Sequence, residues 1–318
     1  MEKSALIVSL DFELFWGMLD VLPLERYRAN VEGVRTAIPR MLKLFAQYGI
    51  HATWATVGFQ FAEDQEELEA FLPRIRPGYE NEKLLGYAQA GGVPERERDC
   101  FFAPELIEKI AATPGQEIGS HTFCHYYCRE PGQTVDQFRA DMEAARAIAE
   151  AKGCSLRSVV LPRNQSEPEY VAVLRELGFE SYRDEENDWI HEKVPFRPLM
   201  RLLRLMDVYL PLTGQGGYLP KNEDGIVNLV GSRMYKPYFA PLCFLEWLKL
   251  LRIKGQMRHA ARKGLVFHLW WHPHNVGVRQ DLHMKQLESI FRYYAKLRKK
   301  YGMRSLNMEE AASEVLGQ

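Results

Sequence analysis

The feature that most constrains this chain is a rhythm in its apolar residues. Short runs rich in β-branched side chains, at 5–13, 51–58, 117–121, 158–163, 225–231 and 265–272, alternate with longer segments of helical period at 31–48, 134–152, 167–177 and 282–301. A shorter strand fits at 180–182. Strands that alternate with helices specify an α/β fold whose sheet is mainly parallel, because each crossover helix returns the chain to the same sheet edge. No internal repeat, low-complexity tract or Gly/Ser-rich linker interrupts the pattern, so 1–318 is expected to form one domain. Two stretches depart from the rhythm, near 62–104 and 191–224, and long insertions of this kind are candidates to shape a pocket.

Composition narrows the partners. The formal net charge is −1 over 318 residues, so no whole-protein field draws the chain to nucleic acid or to an anionic surface. The apolar run at 5–10 is too short for a signal segment and is followed at once by Asp11 and Glu13. Five cysteines make an odd count in a long chain, the pattern of reduced thiols, and a cytoplasmic location is expected. The segment from Pro195 to Met206 carries Arg201 and Arg204 among apolar residues. The favoured expectation for it is a helix packed over the core with its arginines snorkelling. Contact with the inner face of a membrane is the less favoured alternative.

Polar residues capable of chemistry collect where the apolar strands end. Asp11 and Glu13 close the first, His121 the third, Arg163 with Asn164 and Gln165 the fourth, and His272 with His274 and Asn275 the last. In a parallel sheet or barrel all carboxyl ends face one side, which brings distant residues together. Asp11 and Glu13, two apart on an extended strand, can put two carboxylates into one cavity; spacing alone leaves open which binds a metal and which moves a proton. If the chain turns helical after His121, then His121, Cys124, His125 and Cys128 share one face. Cys128 would then lie roughly 10 Å along the axis from His121, too far for all four to hold one ion. Two histidines and one carboxylate instead supply the three protein ligands of a catalytic metal site with an open water position. At the last strand, His268 is expected to be a satisfied core histidine, whereas Pro273 ends the strand and leaves His272 at the rim.

These residues, taken in order, resemble the polysaccharide deacetylases of the NodB-homology, carbohydrate esterase family four type. Ser9-Leu-Asp11-Phe-Glu13 resembles the first acidic motif, Ser120-His121-Thr-Phe-Cys-His125 the metal-binding motif, Leu161-Pro-Arg163-Asn-Gln the arginine motif and Leu269-Trp-Trp-His272 the last histidine motif. The resemblance implies a distorted (β/α) barrel of seven or eight mainly parallel strands. It also implies one divalent metal, Zn or else Co, Ni or Mn, on Glu13, His121 and His125. Asp11 is then the base, oriented by Arg163, and His272 the acid, with His274 its substitute. Asn164, Trp271, His274 and Asn275 are expected to contact substrate. Asn164 and Gln165 stand where secreted members carry a Pro-containing turn, which looks more like the branch of surface-polysaccharide or lipopolysaccharide biosynthesis.

The expected reaction is removal of an N-acyl group, N-acetyl first, from an amino sugar carried on a nucleotide or a lipid. A deformylase or another amidohydrolase uses the same apparatus. A carbohydrate-binding module without turnover would not need base, ligands and acid together.

Overall fold

The computed structural model describes residues 3–185 and 189–317. Ten strands form one sheet: β1 (Ala5–Phe12), β2 (Ala52–Thr56), β3 (Gln116–Ser120), β4 (Ser158–Val160), β5 (Ser181–Arg183), β6 (Lys221–Glu223), β7 (Ile226–Asn228), β8 (Arg233–Met234), β9 (Val266–Trp271) and β10 (Arg304–Leu306). One edge of β1 pairs with β9, and the other with β10 at Ala5–Ile7 and with β2 at Ser9–Phe12. From β2 the order continues through β3, β4 and β5 to β7, all parallel; only β6 runs antiparallel, against β7. The segment 226–235 changes partner midway. Val227, Leu229 and Gly231 donate backbone hydrogen bonds to the β5 side, then Ser232 and Tyr235 donate to β9. That switch brings the two ends of the curved sheet around toward each other, the distortion expected of the barrel.

Strand alternation then divides the molecule into an outer and an inner environment. Leu6, Val8, Leu10 and Phe12 of β1 join the main apolar cluster with the helices Val34–Tyr48, Val135–Ala151 and Gln280–Tyr301. Ala5 and Ile7 point the other way and pack with Met308, Ala311 and Ala312 of the C-terminal helix Met308–Leu316, which closes the amino end of the strands. Ser9 and Asp11 follow on the same inner face, so β1 passes from apolar to polar as it approaches its carboxyl end.

The inner bottom layer also holds Glu117. Its Oε2 accepts from Thr53 Oγ1 and from the backbone N–H of Glu309, capping the C-terminal helix. Burial raises its carboxyl to about 7, reinforced by the Glu309 charge and opposed by the hydrogen bonds it accepts. The native state therefore holds this proton more tightly than the unfolded chain does. The resulting stabilisation, on the order of 3 kcal/mol, is complete below the unfolded value near 4.5 and is lost as pH rises through about 7. Glu117→Gln is accordingly expected to flatten the fall in Tm between mildly acidic and mildly alkaline pH, read by thermal unfolding of both proteins.

Several boundaries differ from the sequence expectation. The strand expected over 158–163 stops at Val160, because Pro162 opens a turn in which Arg163 and Asn164 take positive φ. The strand expected over 225–231 ends at Asn228, where the segment begins to change partner. The 18-residue helix Glu246–Lys263 has no counterpart in the sequence expectation: its first turns bury Glu246, Lys249 and Arg252, and the apolar period of Ile253, Met257, Ala260 and Ala261 begins only in its second half.

Candidate active site

The carboxyl end of β1 places Asp11 on the inner face and Glu13 just past the strand. Glu13 Oε2 lies 2.9 Å from His125 Nε2 and 3.3 Å from His121 Nε2. All three side chains are buried, with ligand atoms within 4.8 Å of one another. His121 directly follows β3, its backbone N–H donating to Thr56 O at 2.8 Å. Its Nδ1–H donates to Val160 O at 2.7 Å, which fixes the tautomer that leaves the Nε2 lone pair facing Glu13.

The chain does not turn helical after His121, so the shared helical face with Cys124 and Cys128 does not arise. Thr122 and His125 both adopt left-handed backbone, φ 63° and 62°, which no helix accommodates. The surrounding structure enforces this conformation. Ser120 Oγ accepts from Thr122 N, Thr122 Oγ1 accepts from Tyr126 N, and the buried Asp141 carboxylate accepts from the N–H groups of Phe123 and Cys124 and from Tyr87 Oη. Asp141, on the helix Val135–Ala151, and Tyr87, in the 62–104 insertion, thus shape the histidine loop from outside it; nothing in their sequence context signalled this. Cys124 and Cys128 are buried free thiols that burial pushes up, and the described metal-ligand cluster contains neither.

Gly17 presses against the same centre. A Cβ there would lie 2.2 Å from the Glu13 carboxyl carbon. Gly17→Ala is expected to displace Glu13 and weaken Zn²⁺ affinity tenfold or so with the fold intact, as measured by titration calorimetry beside circular dichroism.

Asp11 is engaged separately. Arg183 at the end of β5 binds it through two parallel hydrogen bonds, Nη1 to Oδ1 and Nη2 to Oδ2, each 2.7 Å. Burial alone would raise the Asp11 carboxyl; the charge and hydrogen bonds of Arg183, together with the nearby His272 and His121, outweigh it and hold the group below its ordinary value. Ser9 Oγ and Asn164 Oδ1 accept the remaining guanidinium donors, and the Trp270 ring covers its face at 4.2 Å. The arginine that orients Asp11 is therefore Arg183 and not Arg163. Arg163, turned outward by its positive φ, pairs with Asp20 and Glu130 over the Tyr127 ring. Asn164 steadies Arg183.

From β9 and the turn after it come the imidazoles. His272 Nε2 stands 3.7 Å from Asp11 Oδ2 and 3.6 Å from Glu13 Oε1, at the partly exposed rim. Asn275 accepts from Tyr27 Oη through Oδ1 and therefore turns Nδ2–H toward His272 Nδ1, 3.3 Å away, which puts the His272 proton on Nε2. His274 stacks on His272 and is buried, held neutral at about 4 by that burial, with Nε2 3.8 Å from Glu13. Trp271 does not reach the site: strand alternation sends it fully into the outer core against Phe45 and Tyr235, and the inward tryptophan is Trp270. His268 is a satisfied core residue, bonded to Ser9 Oγ and Leu229 O and lowered to about 3 by burial.

Two imidazole Nε2 atoms and a carboxylate oxygen at this spacing suit one divalent cation with bonds near 2 Å. Glu13, which burial by itself would raise, is held well below its ordinary value by His272, His121 and His125, and is a ready anionic ligand.

Residues 30–182 match the family model described as polysaccharide deacetylase. No curated protein matches the chain. Among solved structures, one described as a polysaccharide deacetylase from Mycobacterium smegmatis is 15% identical with a TM-score of 0.65, the match covering 100% of this chain and 92% of that one. Another of the same description, from Pseudomonas aeruginosa PAO1, is 15% identical with a TM-score of 0.56 over 97% of this chain and 89% of that one. Puue allantoinase shares the fold at 16% identity and a TM-score of 0.52, over 97% and 88%. Residues 30–182 thus resemble the polysaccharide deacetylases in sequence, and the chain along its length shares the fold of solved structures so described.

Proposed function

We propose, from its likeness to the polysaccharide deacetylases, that this chain is a metal-dependent hydrolase that removes an N-acyl group, N-acetyl first, from an amino sugar used in surface-polysaccharide biosynthesis in the cytoplasm. The observation that carries this reading is the Glu13, His121 and His125 cluster set beside a second carboxylate, Asp11, that is held ionised and aimed by Arg183. A divalent metal on the three ligands, Zn²⁺ or else Co²⁺, Ni²⁺ or Mn²⁺, would polarise the acyl carbonyl and acidify a water. Asp11 accepts the proton of the attacking water. His272 Nε2 faces the space between Asp11 and Glu13; as an imidazolium it gives a proton to the departing amine as the C–N bond breaks and is left as neutral imidazole. Asn275 and His274 hold its ring in place.

A cavity of about 250 Å³, open to solvent, adjoins this centre through Asn164 and Trp270 and is lined by Arg204, Arg233, Lys236 and Lys249. Asp207 and Glu246 pair with Arg233 and Lys249, while Arg204 meets Glu185 only at 3.5 Å and Lys236 is exposed. Such a lining suits the phosphate of a nucleotide-linked or lipid-linked sugar. The test is a mass-spectrometric screen of N-acylated nucleotide sugars and lipid-linked glycans with added Zn²⁺. Release of acetate supports the reading, release of formate assigns a deformylase, and no acid released from any class removes the hydrolytic reading.

A further inference from the structure

Two neighbouring helices bury charged side chains while leaving large apolar ones exposed. On Arg197–Tyr209, Asp207 is buried while Leu199, Leu202 and Leu205 face solvent. On Glu246–Lys263, which packs against it, Glu246, Lys249 and Arg252 are buried while Trp247 (58% exposed) and Leu251 face solvent, with Phe244 (65% exposed) just ahead of them. Among the described residues, every large apolar side chain that stands exposed, other than Val21 and Ile75, lies between residues 189 and 251. Soluble surfaces rarely gather apolar side chains in one place. Here the chain also withdraws the acids of the same helices into ion pairs, Asp207 with Arg233 and Arg252, Glu246 with Lys249.

Among the described residues, the charged side chains that stay exposed beside the apolar ones are positive: Lys193, Arg197 and Arg201. This is a local excess in a chain whose formal net charge is −1. Apolar residues with an aromatic pair, bordered by cations, on two helices whose own acids Asp207 and Glu246 are buried, match the interface of an anionic bilayer, where the rings and leucines enter the headgroup boundary and the cations meet phosphates. A second copy is a poorer occupant, because a two-fold contact would set the basic borders against each other. No helix of the described residues is long and apolar enough to cross a membrane, so the contact is one of lying on the surface.

We propose that the face formed by helices Arg197–Tyr209 and Glu246–Lys263 docks on an anionic phospholipid surface, reversing the sequence-based preference for an ordinary packed helix. The cavity lined by Arg204 and Val208 of one helix and Lys249 and Ile253 of the other lies between the same two helices, so docking would hold that cavity near the lipid phosphates. The docking face is separate from the hydrolytic centre, and its test reads binding alone. In vesicle flotation, the wild-type chain is expected to rise with phosphatidylcholine vesicles containing about one-third phosphatidylglycerol, far less with pure phosphatidylcholine, and less at high salt. Phe244→Ser with Trp247→Ser, and separately Arg197→Glu with Arg201→Glu, should each lower the bound fraction about tenfold while circular dichroism stays native, since all four side chains are exposed. Flotation unchanged by either pair, absence of wild-type binding, or a concentration-dependent dimer in sedimentation that Phe244→Ser abolishes would each overturn the proposal.

Discussion

Asp11→Asn is expected to reduce turnover by about 10²–10⁴-fold, the usual contribution of a positioned proton acceptor, while one metal ion stays bound. The amide keeps the size of the carboxylate but cannot take the proton of water. Glu13, His121 and His125 are untouched, because Asp11 meets Arg183 rather than the imidazole pair. The substitution also leaves the buried Arg183 guanidinium facing an amide where it had a carboxylate, a change that costs on the order of 1–3 kcal/mol of stability. Turnover and Zn²⁺ content measured on the same preparation, with unfolding followed alongside, separate the two effects. Loss of metal together with activity would instead assign Asp11 to the ligand set.

Glu13→Gln is expected to do the reverse and empty the site. The carboxylate is the one anionic member of the described ligand cluster, and its Oε2 faces both imidazoles. A neutral amide removes the charge that balances a dication in a buried position, so affinity should fall at least 10²-fold. The histidine loop should survive, because Asp141, Thr122 and Ser120 hold it independently of Glu13. Activity should vanish with the metal and return only in part at high Zn²⁺ concentration.

Most of the framework was legible because it rests on period. The alternation of β1 placed Leu10 and Phe12 in the outer core and Asp11 inside, and the strand ends brought His121 and His272 to the same rim. The errors arose where one residue step or one turn decides the outcome. Trp270 and Trp271 are adjacent and chemically alike, so only the strand register, set by pairing of Ser9 with Trp270, determines which faces the site. Arg163 stands in the motif position, but the turn opened by Pro162 gives it positive φ and carries it outward. Arg183 lies 172 residues from Asp11 in a three-residue strand with no motif of its own, and only the neighbouring of β4 and β5 brings it in. Asp141 was hidden for a related reason: a buried aspartate in a helix looks, in sequence, like any solvated one. The helix Glu246–Lys263 escaped notice because the charged residues of its first turns face inward.

The central claim is that Glu13, His121 and His125 together hold one divalent cation. Titration calorimetry of Zn²⁺ into the metal-stripped wild-type chain, with Glu13→Gln and His125→Ala beside it, tests that claim most directly. One site per wild-type chain, lost in both variants while circular dichroism remains native, is the predicted result. A wild-type chain that binds no metal, or variants that bind it as the wild type does, would contradict it.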